Sequence, residues 1–552
     1  MTAAPQSLAS RVVLNMLPVV ALVLVCQAVC TLVPLPYMDE PFHAVQAQAY
    51  CRGDWHVWDS KITTPPGLYA VSLAILRAVA ALLPWVPVAI RATVGLPVSW
   101  HSTDPVPDFL CSLTALRLTN VLVAALVLGL SRALVRDVAR DHAVDAALAR
   151  AAQPVPEGTD VVHSPASLRS VPDAELRQAT AIAQVSSMIL AWNALNAWMQ
   201  PIAVLYYTLY YTEPPSAMLV LATILLMRAR WYYLGGFVGF AAMMVRQTNV
   251  IWVCFAAGSA LAQRVRFAEA RRYLRKAESP ADAVALPPWM LGICPDFTFG
   301  GWLSDHLQFT SAILHRYRAK TVRVLTPAVL AITGGIAAAR ANGGLVAGDH
   351  ANHTLALHVP QIMYCAVAIA TLTLPLIVTV SDVSAYVVFS LRKLRSLKGF
   401  LFMTAVFSVM FAAVHFSTYE HPFVLADNRH LVFYLFKDVI RANALNRYLL
   451  VPGYFVCFWF LYRKLAEQQG TLFITIYAVA VALTLVPSPL VEVRYFILPA
   501  LIYRLHLVET KPWKLAFESI LHVAANAAML YVFLMRPFEW PSEPGVPQRF
   551  MW

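Results

Sequence analysis

The sequence predicts an all-α, polytopic membrane protein of about thirteen transmembrane helices. Three observations carry this prediction. Of 552 residues, 59% are hydrophobic and only 13% are charged, which is too apolar for a soluble chain of this size. Apolar windows approaching the roughly 20 residues that cross a bilayer core recur from end to end. The alternating segments of about ten residues that mark a transmembrane β-barrel do not occur.

The first window, residues 12–33, is too long for a signal-peptide core and reads as a retained anchor. Further spans are expected at 113–130, 181–211, 216–227, 231–245, 249–262 and 325–339. The remaining ones fall at 355–380, 400–417, 449–461, 472–487, 490–502 and 515–534. Several are short, as half-spans and broken helices are. Residues 67–90 are apolar too, but Arg77, Pro84, Trp85 and Pro87 suit an interfacial segment. Leaving that segment out places the basic stretches 132–177, 264–323 and 392–398 on one side, with Arg228, Arg230, Arg463 and Lys464. By the positive-inside rule that side is cytoplasmic, and so is the N-terminus. The chain is then one membrane domain, 1–552, with a first far-side loop at 36–111, a cytoplasmic insertion at 132–177 and a cytoplasmic loop at 263–323.

This loop bias accounts for the net charge of +12 without any nucleic-acid partner. Eight cysteines are scattered with no CxxC pair, so no zinc site is expected. Cys51 and Cys111 share the first far-side loop and could pair if that side is oxidising.

Polar groups converge on the far side. The first loop carries Asp39, Glu40, His43, Asp54 and Asp59. Glu213 ends a span in "LYYTEPPS", and Arg246, Gln247 and Asn249 mark a break between two short spans. Asp349, His350, Asn352 and His353 lie in one later loop, and Asp427, Arg429, His430 and Lys437 in another. Glu492 and Arg494 open a late span. Such a gathering suits transfer chemistry on an anionic, lipid-carried donor. A carboxylate serves as general base, and arginine, lysine or histidine neutralises a phosphate leaving group. Plainer readings stand beside this one. Asp39-Glu40-Pro41 is also an ordinary helix start, with Gly53 as its stop. Glu492 and Arg494 also read as a structural ion pair, and Arg246 as a snorkelling side chain.

The stretches "YMDEPFHAVQAQAYCRGDW", "WDSKITTPPGLY", "LYYTE", "RQTNVIW", "LADNRHLVFY", "LVEVRYFILPALIYRL" and "QRFMW" together resemble the terminal α-1,2-glucosyltransferases of dolichol-linked oligosaccharide assembly. These are GT-C-type enzymes of the endoplasmic reticulum membrane. The resemblance implies a lumenal active site, a dolichyl phosphate glucose donor and a diglucosylated dolichyl-diphosphate-linked oligosaccharide acceptor. It implies an inverting single displacement without metal or other cofactor. By that resemblance Asp39 is the base, with Glu40 second. Glu213, His43, Trp58 and Asp59 would contact the acceptor. Arg246, Arg429 and Arg494, with Gln247, Lys437 and His353, would contact the donor phosphate. The competing classes are a transporter or flippase, which commonly shows internal repeats and midplane charges, and a non-catalytic membrane subunit. Among enzymes, the runner-up is a dolichyl-phosphate-mannose transferase.

Overall fold

The computed structural model describes residues 8–82, 85, 106–151, 181–182, 184–276, 287–290, 298–344, 347–348 and 355–552. The expectations for Asp349, His350, Asn352 and His353, and for most of the 132–177 insertion, lie outside the described residues.

Helices dominate, as the composition requires. In lipid every backbone N–H and C=O needs an internal partner, and a helix supplies all of them locally. In chain order they begin with α1 (Leu8–Leu32), α2 (Glu40–Cys51), α3 (Gly67–Leu82), α4 (Leu113–Ala151), α5 (Ser187–Trp198) and α6 (Pro201–Thr208). Next come α7 (Glu213–Arg228), α8 (Tyr232–Val245), α9 (Asn249–Lys276), α10 (Phe299–His315) and α11 (Arg318–Ala341). The later part holds α12 (Pro360–Leu372), α13 (Leu374–Ile377), α14 (Val380–Arg395), α15 (Leu397–Ser417), α16 (Pro422–Ala426), α17 (Leu431–Tyr434) and α18 (Asn446–Leu449). The last helices are α19 (Val451–Ala466), α20 (Thr471–Leu485), α21 (Ile497–Leu505) and α22 (Pro512–Met535). The chain closes with an antiparallel hairpin of β1 (Phe538–Trp540) and β2 (Glu543–Gln548).

Among the described residues six helices are long and apolar enough to cross a membrane, and the bent pair α5–α6, kinked by 73°, makes a seventh. Several expected spans are shorter. Helix α21 has nine residues, about 14 Å of rise, roughly half a bilayer core. Residues 67–82 form a helix that packs beneath the end of α8, and a Cβ on Gly67 would meet the Met244 carbonyl at 2.4 Å. Only glycine permits that approach. Cys51 and Cys111 form a disulfide, tying α2 to the start of α4 across 60 residues.

The main core joins α4, α5, α7, α8 and α9, with α11 against α8 and α20 against α9. At the end of the bundle opposite Asp39, Arg228 bonds Asp137 and Asp141, and Gln263 bonds Asp141 at 2.5 Å. That layer stitches α4, α7 and α9 together.

Candidate active site

The end of the bundle that carries Asp39 holds a cavity of about 360 Å³. Its polar wall comprises Asp39, Asp427, Arg429, His430, Glu492 and Arg494. Its aromatic wall includes Tyr206, Tyr211, Phe423, Phe433, Trp540 and Trp552.

Asp39 occupies the N-cap position of α2, with Pro41 just inside the helix, yet its side chain makes no capping hydrogen bond. Its backbone carbonyl caps instead, accepting from the Phe42 and His43 amides at 3.1 and 3.2 Å. The preceding Met38 is held at φ 60°, a left-handed conformation that costs a non-glycine residue about 1–3 kcal/mol. The turn sends the Asp39 carboxylate toward the cavity, where Oδ2 accepts from Arg494 Nη1 at 2.5 Å. The Tyr211 hydroxyl accepts from the Asp39 amide at 3.0 Å. The Asp39 side chain is 37% exposed. Burial resists its ionisation, but the charge of Arg494 outweighs this and holds the carboxyl below its ordinary value. Gly53 at φ 89° ends the turn after α2, as expected of the helix stop.

Glu40 is adjacent in sequence and opposite in character. It is fully buried and does not line the cavity. Arg117 grips it through Nε–Oε1 at 2.8 Å and Nη2–Oε2 at 2.6 Å. The amides of Tyr37 and Tyr210 donate to it at 3.0 and 2.7 Å. Arg117 also donates to the Val33 and Leu35 carbonyls at the end of α1. Glu40 therefore locks the first loop to α1, α4 and the segment before α7. The helix start that faces both residues outward in sequence places one in the cavity and one in the core.

Each of the three arginines expected to meet phosphate is engaged by a carboxylate. Arg494 grips Glu492 through Nε and Nη2, the latter at 3.0 Å, while Nη1 holds Asp39. Glu213 Oε1 lies 3.9 Å from Arg494 and bonds Arg246. Glu213 sits at the start of α7, buried beneath this layer, and does not line the cavity. Arg429 makes a bidentate pair with Asp427 at 2.9 and 2.7 Å and donates to Gln548 at 3.0 Å. Burial disfavours the Arg429 charge, yet Asp427 more than offsets this and raises its pKa, while Asp427 is correspondingly held low. The ion pair expected between Glu492 and Arg494 is present, and it is also part of the cavity wall.

The other expected contacts stand further out. His43 is buried, with Nδ1 2.8 Å from the Tyr69 hydroxyl. Burial pushes its imidazole below the ordinary value, against the pull of Asp39, so it is neutral at pH 7. Trp58 packs edge-on against Tyr69, and the Asp59 carboxylate accepts the Lys61 amide at 2.9 Å. Gln247 donates to the Thr63 carbonyl at 2.6 Å, bracing the α8–α9 break against the first loop. Lys437 is exposed over the Phe433 ring. None of His43, Trp58, Asp59, Gln247 or Lys437 lines the cavity. Among the described residues no three His, Cys, Asp or Glu side chains are grouped to hold a metal ion.

The C-terminal segment supplies residues that sequence reasoning missed. Trp540 stacks over Arg429 at 4.7 Å and donates to Asn428. The tail pairs with the loop before α17 through Met551 N to Arg429 O at 2.7 Å and Leu431 N to Met551 O at 3.1 Å. Arg549 donates to the carbonyls of Phe533, Leu534 and Leu32, capping α22 and α1 together. Trp552 donates to Pro201 O at 2.8 Å. The only sequence signal was the motif "QRFMW" itself; apart from Phe533 and Leu534, the partners are more than 100 residues away.

With this geometry in view, the profile of the DIE2/ALG10 family matches residues 33–505. The chain belongs to the DIE2/ALG10 family. It is similar to three proteins named Dol-P-Glc:Glc(2)Man(9)GlcNAc(2)-PP-Dol alpha-1,2-glucosyltransferase. The Arabidopsis thaliana protein is 30% identical over 550 residues, covering 94% of this chain and 96% of the relative. Those of Mus musculus and Homo sapiens are each 29% identical, over 523 and 521 residues, covering 94% of this chain and 93% of each relative. No solved structure matches significantly. The family match stops before the hairpin, so it contains Asp39, Glu213, Arg246, Arg429 and Arg494 but not Trp540 or Trp552.

Proposed function

We propose that the chain is a dolichyl-phosphate-glucose-dependent α-1,2-glucosyltransferase that adds the third, terminal glucose to the diglucosylated dolichyl-diphosphate-linked oligosaccharide for protein N-glycosylation. End-to-end similarity to relatives carrying that name is the observation that carries the reading. The acceptor hydroxyl oxygen attacks the anomeric carbon of the β-linked donor from the face opposite the phosphate. The C–O bond to phosphate breaks, Asp39 takes the hydroxyl proton, and dolichyl phosphate leaves. The product is α-linked. Asp39 is assigned the base role because it faces the cavity, whereas Glu40 is saturated by Arg117 and two amides. Arg494 and Arg429, on the cavity wall, meet the donor phosphate, with Arg246 behind them. Glu213 acts through Arg246 and Arg494, and the aromatic wall offers faces for sugar rings.

The reading includes a GT-C-type architecture of about thirteen spans, counting the short and bent helices as crossings. It places the protein in the endoplasmic reticulum membrane with a cytoplasmic N-terminus and a lumenal site. The Cys51–Cys111 disulfide, on the same side as the cavity, suits an oxidising lumen. Arg228 and Arg266, paired with carboxylates of α4, fall at the opposite end.

The test is glucose transfer by the purified protein from dolichyl phosphate glucose to a diglucosylated lipid-linked acceptor, beside Asp39→Asn. Transfer by the parent and a loss of at least about 100-fold in the variant supports the reading. Full transfer by the variant refutes the base assignment. Transfer by neither, with mannose donors also inert, leaves the non-catalytic class.

A further inference from the structure

Arg494 sits where two demands meet. Its Nε and Nη2 edge is gripped by Glu492, two residues away, and its Nη1 is on Asp39. The face of the guanidinium lies over Tyr211 and Tyr495, at 5.7 and 5.8 Å. Four carboxylates, Asp39, Asp427, Glu213 and Glu492, share this end of the bundle with three arginines, Arg246, Arg429 and Arg494. An incoming phosphate therefore has to exchange with a carboxylate already held. Asp39 is the one to yield. It is 37% exposed and makes a single bond to Arg494, whereas Glu492 is 16% exposed and bonds that guanidinium twice.

We propose that Arg494 is passed from Asp39 to the donor phosphate, that this exchange frees Asp39 to act as base, and that Glu492 is the positioning residue that keeps Arg494 in place while Asp39 lets go. This inference rests on the glucosyl-transfer reading and adds an order of events to it. The charge balance favours the exchange during reaction. The donor is a phosphodiester with one negative charge. As the anomeric C–O bond breaks, both its electrons stay on the phosphate oxygen, which gains a second charge. Arg494 therefore binds the departing phosphate more strongly than the intact donor. Meanwhile Asp39, relieved of a guanidinium, becomes a stronger base as the hydroxyl proton arrives. The groups facing Asp39 include Arg494, Glu492 and Tyr495 from the turn before α21, and Glu213 at the start of α7. Arg246 follows α8, His43 lies on α2, Asp427, Arg429 and His430 precede α17 on the same cavity wall, and the Tyr206 and Tyr211 hydroxyls lie alongside. Of these only Arg494 bonds its carboxylate directly.

Two measurements test the exchange on the full-length purified protein. The first compares the acid limbs of the pH profiles for donor kcat/KM and for kcat, which report groups before and after donor binding. The expected result is a limb about 1–3 units higher in kcat, the usual effect on an aspartate of losing an adjacent arginine. Glu492→Gln should raise donor KM about tenfold and shrink that separation, and Glu492→Asp should restore part of both. Coincident limbs in the parent, or a Glu492→Gln variant with unchanged KM and unchanged separation, overturn the proposal. The second measurement needs no transfer. Carbodiimide labelling of Asp39, read by peptide mass spectrometry, is followed while a short-chain polyprenyl phosphate is added. Exchange predicts that labelling rises, because a carboxylate is released; protection of Asp39 would refute it. A chain without transferase activity that still shows enhanced labelling would sink the functional reading while leaving the exchange intact.

Discussion

Replacing Glu40 by Gln separates the two acidic neighbours most sharply. Glu40 and Arg117 are both about 1% exposed or less, and Glu40 accepts four hydrogen bonds. Glutamine keeps the shape but removes the charge and turns one acceptor into a donor. Arg117 is then a buried guanidinium without a counter-ion, and an amide donor faces donors. Breaking a buried pair by removing one partner costs about 3–5 kcal/mol. For a chain of 552 residues, the unfolding entropy of globular proteins gives about 1.2 kcal/mol per kelvin if the molecule melts as one unit. The expected fall in Tm is therefore about 3–4 °C. Scanning fluorimetry in detergent reads it, with transfer activity measured on the same sample below the transition. Arg117→Gln should cost a similar amount. The double variant Glu40→Gln/Arg117→Gln should fall short of the sum by about 1–3 kcal/mol, because the second substitution removes the stranded charge. Two outcomes would refute the reasoning. An unchanged Tm would mean that the pair does not hold the loop. A fully folded Glu40→Gln protein without transfer would make Glu40, not Asp39, the base.

Four further outcomes are expected. Asp39→Asn should keep its Tm within about 1 °C, since its single pair is partly exposed, while transfer fails; the two assays above read both. The carboxyls of Asp39 and Asp427 are held below their ordinary value of 3.8, so their pairs stabilise the fold above that value and are lost as pH falls through the lower folded-state values. Melting curves should accordingly show no change from them between pH 7 and pH 5, where their contribution is fully present, and a loss below about pH 3.8. Cys51→Ser should remove about 4 kcal/mol of loop-closure stabilisation for a 60-residue separation, read as faster proteolysis of the first loop. Arg549→Ala removes donors to three helix-end carbonyls and should lower Tm and raise donor KM together, since the tail it anchors carries Met551 and Trp552 into the cavity wall.

The membrane class, the positions of most helices and the far-side gathering of charge were legible because they depend on local composition. A run of apolar residues must cross or enter lipid whatever its neighbours are, and loop charge sets which side it faces. Alternation of the expected spans puts residues 39, 213, 246, 429 and 494 at one end of the bundle. Asp39, Arg429 and Arg494 do line one cavity, and Glu213 joins Arg246 to them. Family resemblance added the chemistry, because motifs such as "DEPFH" and "ADNRH" carry it through short strings.

Which carboxylate faces the cavity was decided only in three dimensions. Asp39 and Glu40 are consecutive, equally acidic and both at a helix start. Their fates diverge because α4 brings Arg117 beneath one while the turn before α21 brings Arg494 beside the other, 77 and 455 residues away. The pairing of each arginine, the inward burial of Glu213 and the docking of the tail against Tyr37 and Pro201 are of the same kind. Hydropathy along the chain determines where each segment lies in the membrane. Side-chain partners are chosen by packing between helices, whose rotation about their axes no local pattern specifies.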